Sequence, residues 1–284
     1  MNWLLLTFLS AITGSLSRIL QKVLLKDEQS DTFAFGFVFQ MSVAGLFLIY
    51  TLITHSFEFP DLSGLLINLI VLTVFYSLAN LCIFFAFKHA QAAEVTILLS
   101  SSTIWSVIAA VILLGERMKP QNLFGIFLIV CGVLAINYTK SHWKLNKGHL
   151  FALVGAVLFG IAFVNDAYII TRYESIPSYM VMAFALPGIM TLVYSPGSVR
   201  KLKHFGQLKV LKNLLICSGF YALSALTIFT AFKIGGKASI ISPIQQTSLI
   251  FTVFFSYVFL KEKDNMLPKI IGTALAFAGV LFLL

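Results

Sequence analysis

The sequence predicts an all-α integral membrane protein, with ten transmembrane helices arranged as two inverted five-helix repeats. Three observations carry that expectation: an apolar composition, ten evenly spaced apolar segments, and an internal match at a near-constant offset. Of 284 residues, 59% are hydrophobic and 11% are charged, and the mean hydropathy is +0.94. A soluble domain carries about a quarter charged residues, so too little polar surface is present to coat a globule in water. The apolar runs extend from one end of the chain to the other, which leaves no room for a separate soluble domain.

A membrane-spanning helix needs about 20 predominantly apolar residues. The segments that satisfy this are 2–25, 33–54, 65–87, 92–114, 122–138, 148–171, 179–194, 211–232, 238–260 and 267–284. No basic stretch precedes the first and it runs on through Arg18 and Gln21, so it reads as a retained helix and not a cleavable leader. Short polar joints, such as 26–31 and 140–144, separate the segments. In hydrocarbon each span must satisfy its own backbone hydrogen bonds, which makes all ten helices.

The repeat is read directly. Residues 75–88 match 220–233 at an offset of 145, with identities at Phe75, Tyr76, Leu78, Leu81, Ile83, Phe84, Ala86, Phe87 and Lys88. Leu114-Gly115-Glu116-Arg117 answers Leu260-Lys261-Glu262-Lys263, and Gly125 with Gly132 answers Gly272 with Gly279. The chain is a duplication, with units 1–140 and 141–284 forming one membrane domain. Each unit holds five spans, an odd number, so the second crosses the membrane in the opposite sense. Inverted repeats are characteristic of transporters, whose halves exchange conformations around a site near the midplane.

Polar groups within a span are costly and face a bundle interior or a cavity. Those that stand out are Arg18 in the first span, Tyr76 and Asn80 in the third, Ser101 in the fourth, Tyr221 in the eighth, and Gln245 and Gln246 in the ninth. They form the expected solute-binding set, enclosed by the first, third, fourth, sixth, eighth and ninth spans. The hydroxyl run 100–103 and the cluster 245–248 hold equivalent repeat positions, and either solute contacts or interhelical hydrogen bonds would explain them. Arg18 suits a carboxylate or phosphate on a solute, an ion pair with Asp166, or snorkelling beside Lys22. Asp166 in the sixth span is a candidate for proton coupling or an ion pair, or for a solvated helix cap. Ala152, Ala156 and Gly160 form a small-residue stripe suited to close helix packing.

Other classes find little support. The net charge of +9 resides in connections between spans, as orientation signals do, so no nucleic-acid partner is expected. Cys82, Cys131 and Cys217 are isolated in apolar runs, offering neither a disulfide framework nor metal-ligand spacing. The five histidines lie in or beside loops without metal spacing, and no Walker-type phosphate loop is present. No catalytic residue, metal or cofactor is expected. With Arg18 set aside, connections 1–2, 3–4, 5–6, 7–8 and 9–10 carry 14 basic residues and the others 5. By the positive-inside rule this places both termini outside.

The paired motifs Leu114-Gly115-Glu116-Arg117 and Leu260-Lys261-Glu262-Lys263, each followed by a glycine-bearing last helix (Gly132-Val133-Leu134 and Gly279-Val280-Leu281), resemble the drug/metabolite transporter superfamily of the EamA type. Gln91-Ala92-Ala93-Glu94-Val95 is similar to that family's entry to the fourth helix. The resemblance implies a ten-helix secondary transporter or facilitator, multi-pass in the cell (inner) membrane, moving a small organic solute such as an amino acid, nucleotide-like or drug-like metabolite. It implies membrane lipid and the solute as partners, a monomer or homodimer, and cytoplasmic termini, against the charge bias. The family often has a proline midway along the fourth and ninth spans. Here the fourth has Ser100-Ser101-Ser102-Thr103, and the ninth has Pro243 earlier. A non-transporting structural membrane subunit and an intramembrane lipid-modifying enzyme are the rival readings.

Overall fold

A computed structural model describes residues 2–58, 64–116, 119–138, 146–170, 172, 175–261 and 266–283. Among these the regular structure is helical throughout: α1 Trp3–Lys26, α2 Thr32–Ile53, α3 Leu66–His89, α4 Ala92–Leu99, α5 Ser102–Leu114, α6 Pro120–Tyr138, α7 Lys147–Ile170, α8 Ile176–Tyr194, α9 Leu202–Phe205, α10 Leu208–Lys233, α11 Ala238–Gln245, α12 Ser248–Phe259 and α13 Met266–Leu283. The first three helices, the α4–α5 pair, α7, α8 and α10 are each long and apolar enough to cross a bilayer. With α6, the α11–α12 pair and α13 they form ten spans in two inverted five-helix sets. The expected repeat junction at 140/141, the joint 140–144, and Arg117, Glu262 and Lys263 of the paired motifs lie outside the described residues.

Local chemistry sets the helix ends. Asn2 caps α1 by accepting from the Leu4 N–H at 3.0 Å, and Asp31 caps α2 through the Ala34 N–H at 3.0 Å. The chain leaves α5 through Gly115, whose φ of +67° lies in the left-handed region that glycine enters without a Cβ penalty.

The fourth and ninth spans, expected as continuous helices, are each broken at equivalent repeat positions, before Ser102 and before Ser248. The backbone tightens there into a 3₁₀ turn. Ser101 N–H donates to Leu98 O and Thr103 N–H to Ser100 O; in the ninth span, Thr247 N–H donates to Ile244 O and Leu249 N–H to Gln246 O. In the fourth span no proline is needed. The Ser100 and Ser101 hydroxyls donate back to Ile97 O at 2.6 Å and Leu98 O at 2.7 Å, a bond that competes with the helix ladder and bends it.

Packing follows the duplication. The most extensive contacts join α1 with α10 and α3 with α7, two pairs that exchange under the repeat, and α2 with α8 and α6 with α13, each matching itself. Polar ties assign the connections to two faces. On one, Lys22 Nζ donates to Phe87 O and Ala90 O at 2.6 and 2.5 Å, a cation on the carbonyl end of α3. Lys88 Nζ donates to Ser30 O at 2.6 Å, Lys201 pairs with Asp31 at 2.8 Å, buried His149 meets buried Glu94 at 3.2 Å, and Lys269 donates to Gln91. These ties link connections 1–2, 3–4, 5–6, 7–8 and 9–10. On the other face Ser175 donates to Ser56 O at 3.2 Å and Ser239 N–H to Glu116 at 3.3 Å. His149, expected beside a loop, is thus a buried partner in the first turn of α7.

The small-residue stripe lies on α7, where Ala152 and Ala156 are fully buried. A Cβ on Gly160 would sit 2.5 Å from Ser102 O and 2.8 Å from Trp105 Cβ. Glycine is what lets α7 approach the start of α5.

Candidate functional site

Between the two repeats lies a central cavity of about 140 Å³. Arg18, Tyr76, Asn80, Asp166, Tyr221, Gln245 and Gln246 all line it. Ser101 does not; its hydroxyl is turned back onto Leu98 O, and Ser102 takes the lining position one residue on. The repeat is visible in the wall, because Tyr76, Ile83 and Phe84 line it together with their equivalents Tyr221, Ile228 and Phe229. On α1 the lining residues are Ser10, Gly14, Arg18 and Gln21, spaced four, four and three apart and so on one helix face.

The charged groups do not meet as an ion pair. Arg18 Nη1 donates to Ser248 Oγ at 2.7 Å, so the residue that opens α12 holds the guanidinium by one edge. Asp166 is buried and accepts from two tyrosines, Tyr76 on α3 and Tyr179 on α8, the latter at 2.5 Å. It is neither a solvated cap nor the partner of Arg18. Sequence reasoning does not single out Tyr179 or Ser10.

The glutamines act between helices and toward the cavity at once. Gln245 Nε2 donates to Ser10 Oγ on α1 at 2.6 Å, and Gln246 Nε2 donates to Thr103 Oγ1 on α5 at 2.5 Å. Ser106 and Ser242 share a hydrogen bond at 2.6 Å, which joins α5 to α11. Each glutamine spends its amide nitrogen on a neighbouring helix and keeps its Oε1 unbonded among the described residues. Asn80 likewise donates to Gln40 at 3.3 Å and keeps its Oδ1. The Tyr221 hydroxyl makes no hydrogen bond among the described residues, while its ring is held edge-on by Phe39 and Phe184, with centroids at 5.2 and 5.7 Å. Tyr76 packs edge-on against Phe159 at 5.5 Å.

A largely apolar cavity set with a few polar groups, lying between two inverted sets of membrane helices, is the arrangement of a solute carrier. Comparison with known proteins gives the family: the EamA-like transporter family matches residues 1–138 and again 146–284, and the chain belongs to it. The pseudopaline exporter CntI of Pseudomonas aeruginosa is 22% identical over 277 residues, covering 96% of this chain and 94% of the exporter. Solute carrier family 35 member G1 of Homo sapiens is 30% identical over 164 residues, 54% of this chain and 44% of that protein. The uncharacterized transporter YetK of Bacillus subtilis is 26% identical over 152 residues, 53% of this chain and 45% of that protein. A solved crystal structure superposes with a TM-score of 0.72 over 99% of this chain and 95% of that one, at 14% identity, and so shares the fold. The protein is a multi-pass membrane transporter.

Proposed function

We propose that the chain is a secondary transporter or facilitator that moves a small polar organic metabolite by alternating access, with residues 1–140 and 141–284 as the exchanging repeats. One observation carries this reading: polar groups left unbonded by the described residues converge on a cavity inside the membrane. They are the remaining N–H groups of Arg18, the Tyr221 hydroxyl, and the acceptor oxygens of Gln245, Gln246 and Asn80. Desolvated polar groups are costly unless paired, and a solute that replaces water there would satisfy them. The inventory describes the solute. Arg18 selects an anionic group such as a carboxylate or phosphate, the amide oxygens accept from N–H or O–H donors, and the phenylalanine and tyrosine faces take an apolar or ring-bearing body.

The test starts from a melting-temperature screen of the purified protein against amino acids, organic acids and nucleotides, followed by proteoliposome uptake of each compound that stabilises it. Tyr221→Ala and Gln245→Ala are expected to reduce uptake roughly 2- to 10-fold, the value of one neutral hydrogen bond, while expression and melting temperature stay near wild type. Loss of folding in proportion to activity would identify these side chains as packing elements alone. Wild-type uptake in both variants would remove them from the site.

A further inference from the structure

Between α8 and α10 the chain makes a 3₁₀ stretch, Pro196–Lys201, and the short helix α9 before re-entering at Leu208. Its exposed charge is of one sign. Arg200, Lys201, Lys203, Lys209 and Lys212 are all exposed, and no Asp or Glu occurs anywhere between residues 175 and 261. Two acids of the first connection meet it: Asp31 pairs with Lys201 at 2.8 Å and Asp27 with His204 at 3.4 Å. Arg200, Lys203, Lys209 and Lys212 pair with no acid among the described residues. Two apolar side chains flank them in the open, Val199 at 50% and Leu208 at 84% exposure. The segment is firmly seated nonetheless, because buried Phe205 packs on Phe35 of α2 with ring centroids 6.0 Å apart.

We propose that this connection is a docking surface for anionic phospholipid headgroups. The four cations without an acidic partner meet the headgroup phosphates, and Val199 and Leu208 enter the boundary between headgroups and acyl chains. Basic side chains beside a membrane are drawn to an anionic leaflet within a Debye length, and apolar neighbours among basic ones are what interfacial segments use to insert. Seating by Phe205 and the Lys201–Asp31 pair means the cations are presented on a fixed platform. The face so anchored is the one that carries connections 1–2, 3–4, 5–6 and 9–10.

Backbone hydrogen exchange across 196–207 tests this on the full chain in nanodiscs, made of phosphatidylcholine alone or with phosphatidylglycerol. Exchange should slow roughly tenfold where the anionic lipid is present and return to the faster rate as salt is raised. The α2 amides, as an internal control, should not change. In a R200Q/K203Q/K209Q/K212Q variant the two membranes should give the same rate, with the melting temperature kept. Equal exchange in both membranes for the wild type, or the full slowing retained in the variant, overturns the proposal. Slowing in phosphatidylcholine alone on addition of inorganic phosphate would overturn it in favour of a soluble-anion site.

Discussion

Asp31 serves two structures with one carboxylate, capping α2 through the Ala34 N–H and receiving Lys201 from a connection far along the chain. Partial burial opposes its charge, but the hydrogen bonds from Lys201, the Ala34 N–H and Ser198, together with the Lys201 charge, outweigh this and hold the carboxyl below the usual carboxylate range. A group depressed in the folded state contributes stability above its ordinary value, about 3.9, and loses it as pH falls through the folded value. Asp31→Asn keeps an N-cap side chain but loses the charge. Its melting temperature should therefore lie below wild type at neutral pH, and the difference should begin to shrink as the pH falls below about 4 and vanish below the folded value; a gap independent of pH would assign the effect to capping. Arg18 is the other informative residue. Arg18→Gln should weaken uptake of an anionic solute by roughly 10- to 100-fold, as expected for a charge-assisted hydrogen bond, and spare an analogue in which the anion is capped as an amide. Much of this shell is legible in the sequence, since Arg18, Asp166 and the glutamines are conspicuous in an apolar background. Tyr179 is not, because its role depends on α8 meeting the far end of α7, a tertiary fact that helical spacing does not encode.

At the scale of single helices, apolar length and the repeat offset are enough to locate the spans, and both survive errors of a few residues at each end. The breaks in the fourth and ninth spans are harder to read, because serine back-bonding and a 3₁₀ turn leave the hydropathy of the segment unchanged. Polarity at 100–103 and 245–248 marks the place without disclosing the geometry. Glycines sort cleanly once the neighbours are known. Gly160→Ala would drive a methyl against Ser102 O and the α5 backbone, and such overpacking costs about 1–3 kcal/mol. A methyl on Gly45 in α2 would meet nothing within 4 Å, so Gly45→Ala should be neutral or raise the melting temperature through helix propensity. Denaturation of the two variants side by side checks this, and equal destabilisation would show that α7 does not depend on close contact with α5.

For the molecule as a whole, an even number of spans puts both termini on one side, and the ties joining alternate connections agree. Reporter fusions at residues 1 and 284 should therefore signal the same compartment; opposite compartments would be incompatible with five spans plus five. The pairing of helices carries a further consequence. Since α1 lies against α10 and α3 against α7, what was duplicated in sequence is not what is contiguous in space: each repeat lends its first and third spans to the other. Neither repeat alone can complete the walls of the cavity, and a polypeptide ending at Tyr138 would present its partner-seeking helix faces to lipid. Expressed separately, 1–138 and 146–284 should each be degraded; expressed together, they should find one another and restore transport as two antiparallel chains.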